Sequence, residues 1–147
     1  MEIQRLNLLS PIYYALLSNE DPFNYREDPT GEEKLFCFDL DETQYLSFEP
    51  DKKTLLGTLV SCGKVIESSC QNEAGESSFQ LPKGDYLFAQ KREILSRDEI
   101  IDMAVEIQME GLWQRLKPGN KLYLRYLFED GSSVTQLFRP LGCVTGS

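Results

Sequence analysis

Leu81-Pro82-Lys83-Gly84-Asp85-Tyr86-Leu87-Phe88, followed by Ser96-Arg97-Asp98-Glu99 and then by Asp130-Gly131, is the stretch that decides the fold. From Leu81 to Leu141 it reads as strand, capped helix, strand, tight turn, strand, a β-α-β-β unit. Ser96 is placed to accept from the amide of Glu99 while Glu99 reaches back to the amide of Ser96, a capping box that satisfies donors left open by the first helical turn. Ile100, Ile101, Ala104, Val105, Ile107, Leu112, Trp113 and Leu116 then recur at helical spacing until Pro118-Gly119 stops the run, so one wide face of the helix is buried.

The opposite helix face carries Asp98, Asp102, Glu106 and Glu110 at successive four-residue steps. Their mutual repulsion costs a few tenths of a kcal/mol per pair. They form either a solvated face or a docking stripe for a basic protein surface.

The hairpin gives a sharper expectation. If Asp130-Gly131 is a two-residue type I′ turn, Glu129 pairs with Ser132, and pairing runs back as Leu127 with Val134, Arg125 with Gln136, and Tyr123 with Phe138. These residues share one face. The other face carries Leu122, Leu124, Tyr126, Phe128 and Leu137, more continuously apolar and suited to the helix. Tyr123, Arg125, Gln136 and Phe138 are then left pointing away from the helix as a mixed aromatic and polar patch, the composition of a ligand site, with Tyr86 and Trp113 as further contributors.

Outward from this unit, residues 20–33 carry six acids, two prolines and one glycine against a single arginine, which reads as a solvated acidic loop. Leu35 to Leu40, Thr43 to Phe48 and Leu55 to Val60 read as three short antiparallel strands, with Val65 to Ser68 as a fourth before the polar segment 71–78. No repeat of fixed period is visible. The 147 residues, 41% of them hydrophobic, suit one domain with its own core, spanning residues 1–147. The expected class is α+β: an antiparallel sheet with the β-α-β-β unit in the C-terminal half and the helix packed on one sheet face.

A net charge of -9 argues against nucleic acid as a partner, since phosphate binding draws on Lys and Arg. The N-terminal apolar residues are broken by Ser10-Pro11, which fits neither a signal peptide nor a membrane span, so a cytoplasmic, reduced protein is expected. Cys37, Cys62, Cys70 and Cys143 lack C-x-x-C spacing and the chain has no histidine, so no metal site or cofactor is expected.

Leu35-Phe36-Cys37-Phe38-Asp39-Leu40-Asp41-Glu42-Thr43, an apolar strand ending in D-x-D-x-T, resembles the first motif of the haloacid-dehalogenase-like phosphatases. That resemblance implies a nucleophile at Asp39, a general acid and base at Asp41, and magnesium. Ser61, Lys64 or Lys83, and Asp85 are the loose candidates for the rest of such a site.

A second resemblance covers more of the chain. Leu81-Pro82-Lys83-Gly84-Asp85-Tyr86 with its helix, Lys121-Leu122-Tyr123-Leu124-Arg125-Tyr126, Thr135-Gln136-Leu137-Phe138-Arg139-Pro140-Leu141, and the loop from Tyr25-Arg26-Glu27-Asp28-Pro29-Thr30 to Leu35 are similar to the gyrase-inhibitor-like (GyrI-like) effector-binding domains. The resemblance implies two β-α-β-β halves forming one antiparallel sheet, helices on one face, and on the other a hydrophobic pocket for a small apolar or cationic organic molecule. Where that family commonly has a glutamate, this chain has Gln136. The expected function is therefore non-catalytic binding of a small molecule through Tyr123, Arg125, Gln136, Phe138, Tyr86 and Trp113. The alternatives are an acidic protein-interaction module and a magnesium-dependent phosphatase.

Overall fold

The computed structural model describes residues 3–16, 33–40, 58–65, 78–93, 95–116, 119–129 and 131–141. Among the described residues eight strands, β1 (Gln4–Leu8), β2 (Ile12–Leu16), β3 (Lys34–Asp39), β4 (Thr58–Val65), β5 (Ser78–Leu81), β6 (Gly84–Lys91), β7 (Lys121–Glu129) and β8 (Ser132–Pro140), form one sheet in the order β1-β6-β8-β7-β3-β4-β2-β5. Every pairing is antiparallel. A helix, α1 (Arg97–Trp113), joins β6 to β7. The architecture is α+β.

The sheet cannot be flat. β5 and β6 are joined by Pro82-Lys83 alone, a link that spans at most about 11 Å, yet they stand six places apart in the order, about 29 Å in a flat sheet. The pairings resolve this conflict by closing the sheet. Leu8 pairs with Gly84 and Ile12 with Leu81, so β1 and β2 behave as one bent strand running beside β5 and β6 as another, with one extra residue on the β1–β2 side of the corner. Since β6 continues to β8 and β2 continues to β4, the ring β1/β2, β5/β6, β8, β7, β3, β4 is complete. It is a small barrel with bent staves.

The strand order also has an internal symmetry. Exchanging β1, β2, β3 and β4 with β5, β6, β7 and β8 and reading the order backwards returns the same order, with the β3–β7 pairing as the pseudo-twofold centre.

Alternation along the strands gives the wall two apolar faces. The outer face, Phe36, Phe38, Leu87, Ala89, Leu122, Leu124, Tyr126 and Leu137, shares one cluster with Ile100, Ile101, Met103, Ala104 and Ile107 of α1. The inner face, Tyr14, Leu35, Cys37, Leu81, Tyr86, Phe88, Tyr123 and Phe138, forms a second cluster.

Several local expectations are corrected. Residues 4–8 and 12–16 are strands, to which sequence reading had assigned no element. β4 runs from Thr58 unbroken to Val65, across the gap expected between strands at Leu55 to Val60 and Val65 to Ser68, and the remainder of those two expectations, residues 55–57 and 66–68, lies outside the described residues. The Thr43 to Phe48 expectation and residues 20–32 of the acidic loop lie outside the described residues.

The helix begins as its capping box requires, with the Ser96 Oγ accepting from the Glu99 amide at 3.3 Å and Glu99 Oε1 accepting from the Ser96 amide at 3.0 Å. It ends before Pro118. Arg115 turns left-handed with φ 61°, and the amides of Arg115 and Leu116 donate to the carbonyls of Leu112 and Gly111, which terminates the last turn in a Schellman arrangement. Leu112 and Trp113 are exposed, at 48% and 84%, while Met103, Gln108 and Gly111 take places in the buried face. The buried arc follows the 100° step from Ile100 and Ile101 through Ala104, Ile107 and Gly111, and Trp113 falls on the far side of it.

Candidate functional site

The β7–β8 hairpin has the register of a two-residue connection: Glu129 pairs with Ser132, Leu127 with Val134, Arg125 with Gln136, and Tyr123 with Phe138. Gly131 has φ +78°, a conformation that glycine adopts without a Cβ penalty and that the second central position of a type I′ turn requires. This register puts Tyr123, Arg125, Gln136 and Phe138 on one face, and curling of the sheet turns that face inward. The patch expected to stand open on a sheet surface is instead the lining of the barrel, where Tyr123 and Phe138 are buried.

Cross-strand register sorts this lining into layers. Phe88 lies opposite Phe138, Phe138 opposite Tyr123, and Tyr123 opposite Cys37, which makes an aromatic layer closed by a thiol. Phe88 and Phe138 rings lie 5.0 Å apart at 45°. Tyr86 meets Phe138 edge-on at 5.8 Å and Tyr123 at 6.4 Å. Such contacts add about 0.5–1.5 kcal/mol each beyond burial itself. Tyr86 is anchored by donating its hydroxyl to the Pro82 carbonyl at the barrel corner.

The next layer is polar. Gln90 lies opposite Gln136, Gln136 opposite Arg125, and Arg125 opposite Leu35, which brings Glu33 alongside at the start of β3. A continuous row of hydrogen bonds results. Gln136 Nε2 donates to Gln90 Oε1 at 2.9 Å, Arg125 Nη1 to Gln136 Oε1 at 3.2 Å, and Arg125 Nε to Glu33 Oε2 at 2.8 Å. Tyr14 completes the row by donating its hydroxyl to Glu33 Oε2 at 2.6 Å. The Arg125 Nη2 to Glu33 Oε2 separation is 2.7 Å, and the two side chains retain only 18% and 20% of their exposure. Gln136 is 8% exposed while Gln90 is open to solvent, so the row runs from the interior to the barrel mouth.

Burial governs the titration of the lining. Desolvation pushes the Tyr14 and Tyr123 hydroxyls far above the ordinary tyrosine value and Tyr86 up to about 12. Arg125 works against this at Tyr14, but less strongly than burial. Cys37 is pushed up to about 11, again chiefly by burial, so it is a protonated thiol at neutral pH and a poor nucleophile.

Of the residues singled out from sequence, Tyr86, Tyr123, Arg125, Gln136 and Phe138 come together. Trp113 does not. It stands on α1, outside the wall, and takes no part in the lining. Tyr14, Glu33, Cys37, Phe88 and Gln90 belong to the site and were not identified from sequence. For Phe88 and Gln90 a signal existed, because they lie two and four residues beyond Tyr86 and alternate onto the same face. Glu33 carried none, being one acid among six in residues 20–33.

The phosphatase reading is corrected. β3, which carries Asp39, has antiparallel neighbours on both sides, β4 and β7, where that fold needs parallel ones. Asp39 is held in an ion pair by Lys121, whose pKa that hydrogen bond raises. Asp85 accepts from Asn7 Nδ2 at 2.7 Å, and Asp41 lies outside the described residues. Among the described residues no group of three metal-binding side chains is found, and no helix is long and apolar enough to cross a membrane. No protein-family model matches this chain, and no curated protein matches its sequence.

Proposed function

We propose that this chain is a non-catalytic binding domain for a small, largely apolar organic molecule, seated at the mouth of the barrel over the aromatic layer, in the manner of the GyrI-like effector-binding domains. The observation that carries the reading is the part-buried polar row Tyr14–Glu33–Arg125–Gln136–Gln90, one layer along the wall from the aromatic rings. Removing an ion pair from water costs several kcal/mol that its own attraction returns only with excellent geometry, so such a pair is weak evidence for stability and better explained by a role in recognition. Aromatic faces would supply contact area, and the row would orient polar groups.

The interchange symmetry of the strand order supports the two-half architecture that the GyrI-like resemblance implies. The sequence β6, α1, β7, β8, with α1 sharing a cluster with the outer wall, supports a β-α-β-β unit whose helix lies on the face away from the ligand.

Charge selects the ligand class. Gln136 is neutral, and the Glu33 carboxylate is already matched by Arg125, so the mouth favours a neutral ligand over a cation. The 3.2 Å bond from Arg125 to Gln136 is the longest in the row, and a ligand carbonyl replaces it at least cost. Isothermal titration of neutral aromatic amides or ketones tests this. A binder should lose about ten-fold or more in affinity on Gln136→Ala and on Arg125→Met, as removal of an orienting hydrogen bond implies. Equal affinity of both variants and the parent would refute the placement.

A further inference from the structure

We infer that the outer face of α1 is a docking surface for a basic, amphipathic segment of a partner protein, with Trp113 and Met109 as its apolar anchors and Glu106 and Glu110 as its charged rim. This surface lies outside the wall that encloses the small-molecule site and does not depend on it. A groove of about 510 Å³ is lined by Ile3, Val105, Glu106, Met109, Glu110 and Trp113. Two large apolar side chains in it are held out in solvent, Met109 at 60% and Trp113 at 84% exposure.

Their arrangement is regular. Val105, Met109 and Trp113 follow one another at four-residue steps, and so do Asp98, Asp102, Glu106 and Glu110, so an apolar ridge and an acidic ridge run side by side along α1. A second groove of about 360 Å³, lined by Lys91, Leu95, Glu99, Asp102, Met103 and Glu106, adjoins the first through Glu106 and extends the acidic track toward the helix start. Lys91 is the cation of that track.

Charge decides the occupant. The last turn of α1 carries no basic residue, so the partial negative charge of the helix end adds to Glu106 and Glu110 beside Trp113; Arg115 follows only beyond the cap. A helix with Lys or Arg at four-residue spacing matches the roughly 6 Å repeat of the acidic ridge, its apolar side chains cover Met109 and Trp113, and an arginine can stack on the indole. A second copy of the chain would set this acidic ridge against its own twofold image, and a nucleic acid would meet it with phosphates.

The probe is a labelled amphipathic peptide of leucine and lysine, about 14 residues or roughly 21 Å as a helix, followed by anisotropy. The chain holds a single tryptophan, so Trp113 emission reports the groove directly. The expected result is saturable binding with a blue shift and reduced quenching of Trp113. Affinity should fall about ten-fold on raising salt from 0.05 to 0.5 M, and by a similar factor in Met109→Ala and in Glu106→Gln/Glu110→Gln, whose positions outside the buried arc of the helix leave folding intact. Arg125→Met should leave it unchanged. The inference is overturned if the peptide does not bind up to about millimolar concentration, if it binds with Trp113 emission unmoved, or if a glutamate-for-lysine peptide binds equally. It is also overturned if sedimentation shows the chain covering Trp113 by self-association.

Discussion

Arg125→Met tests the polar row where it is most heavily committed. The substitution keeps much of the side-chain volume but removes two charge-assisted contacts to Glu33 Oε2, at 2.8 and 2.7 Å, and one to Gln136 at 3.2 Å. Stripping the partner from a fully buried charge costs about 3–5 kcal/mol. Here Glu33 retains 20% exposure and still accepts from Tyr14, so the expected loss is lower, roughly 2–3 kcal/mol. Glu33→Gln removes the charge from the other side and should cost about 2 kcal/mol. Once either member is gone the second change removes little more, so the double variant should fall short of additivity by about 1.5–2 kcal/mol. Urea unfolding of all four proteins, followed by circular dichroism, measures this directly. Additivity to within about 0.5 kcal/mol would mean that Arg125 and Glu33 do not act as a pair, and the polar row would lose its basis.

The remaining predictions concern the lining and the helix. Cys37 and Tyr86 are pushed up to about 11 and about 12 because burial disfavours their charged forms, so the unfolded chain gives up these protons first. The Cys37 contribution to stability is therefore intact below about pH 9 and declines as pH rises from about 9 to 11, and that of Tyr86 is intact below about pH 10 and declines from about 10 to 12, by up to about 2.7 kcal/mol for each two-unit shift. Cys37→Ala should flatten that decline in a series of urea midpoints, and an unchanged slope would contradict the burial assigned to the thiol. Arg115 occupies a left-handed position that suits glycine, so Arg115→Gly should stabilise by about 0.5–1 kcal/mol and raise Tm by about 2–4 °C; a lower Tm would contradict the Schellman ending. Ser96→Ala should cost about 1 kcal/mol through loss of the capping box, read by the same thermal scan, and no change would argue that the cap contributes nothing.

Local chemistry made the C-terminal half legible. Ser96 with Glu99 fixed the helix start, and Asp130-Gly131 with the alternation from Lys121 to Pro140 fixed a register that the structure reproduces pair by pair. Closure of the sheet was not legible, because it is set by pairings between residues far apart in sequence, Leu8 with Gly84 and Ile12 with Leu81, which no local pattern records. That closure changes the meaning of the same residues: Tyr123 and Phe138, read as a surface patch, are interior. Trp113 was misplaced for a different reason, since counting apolar residues along the helix ignores the 100° step, which puts Trp113 opposite the buried arc of Ile100, Ala104, Ile107 and Gly111. The symmetry between the halves lies in strand order alone and left no repeat in the residues.

The most direct test of the central claim is chemical-shift mapping of the barrel mouth. The isotope-labelled chain would be titrated with a neutral aromatic amide found to bind, while the amides of Glu33, Gln90, Arg125 and Gln136 and the Arg125 Nε–H are followed alongside the Trp113 indole. Binding at the polar row predicts that the largest shifts fall on those four residues and on Arg125 Nε–H, with Trp113 unmoved. Shifts centred on Trp113, or spread without preference over the outer wall, would contradict it.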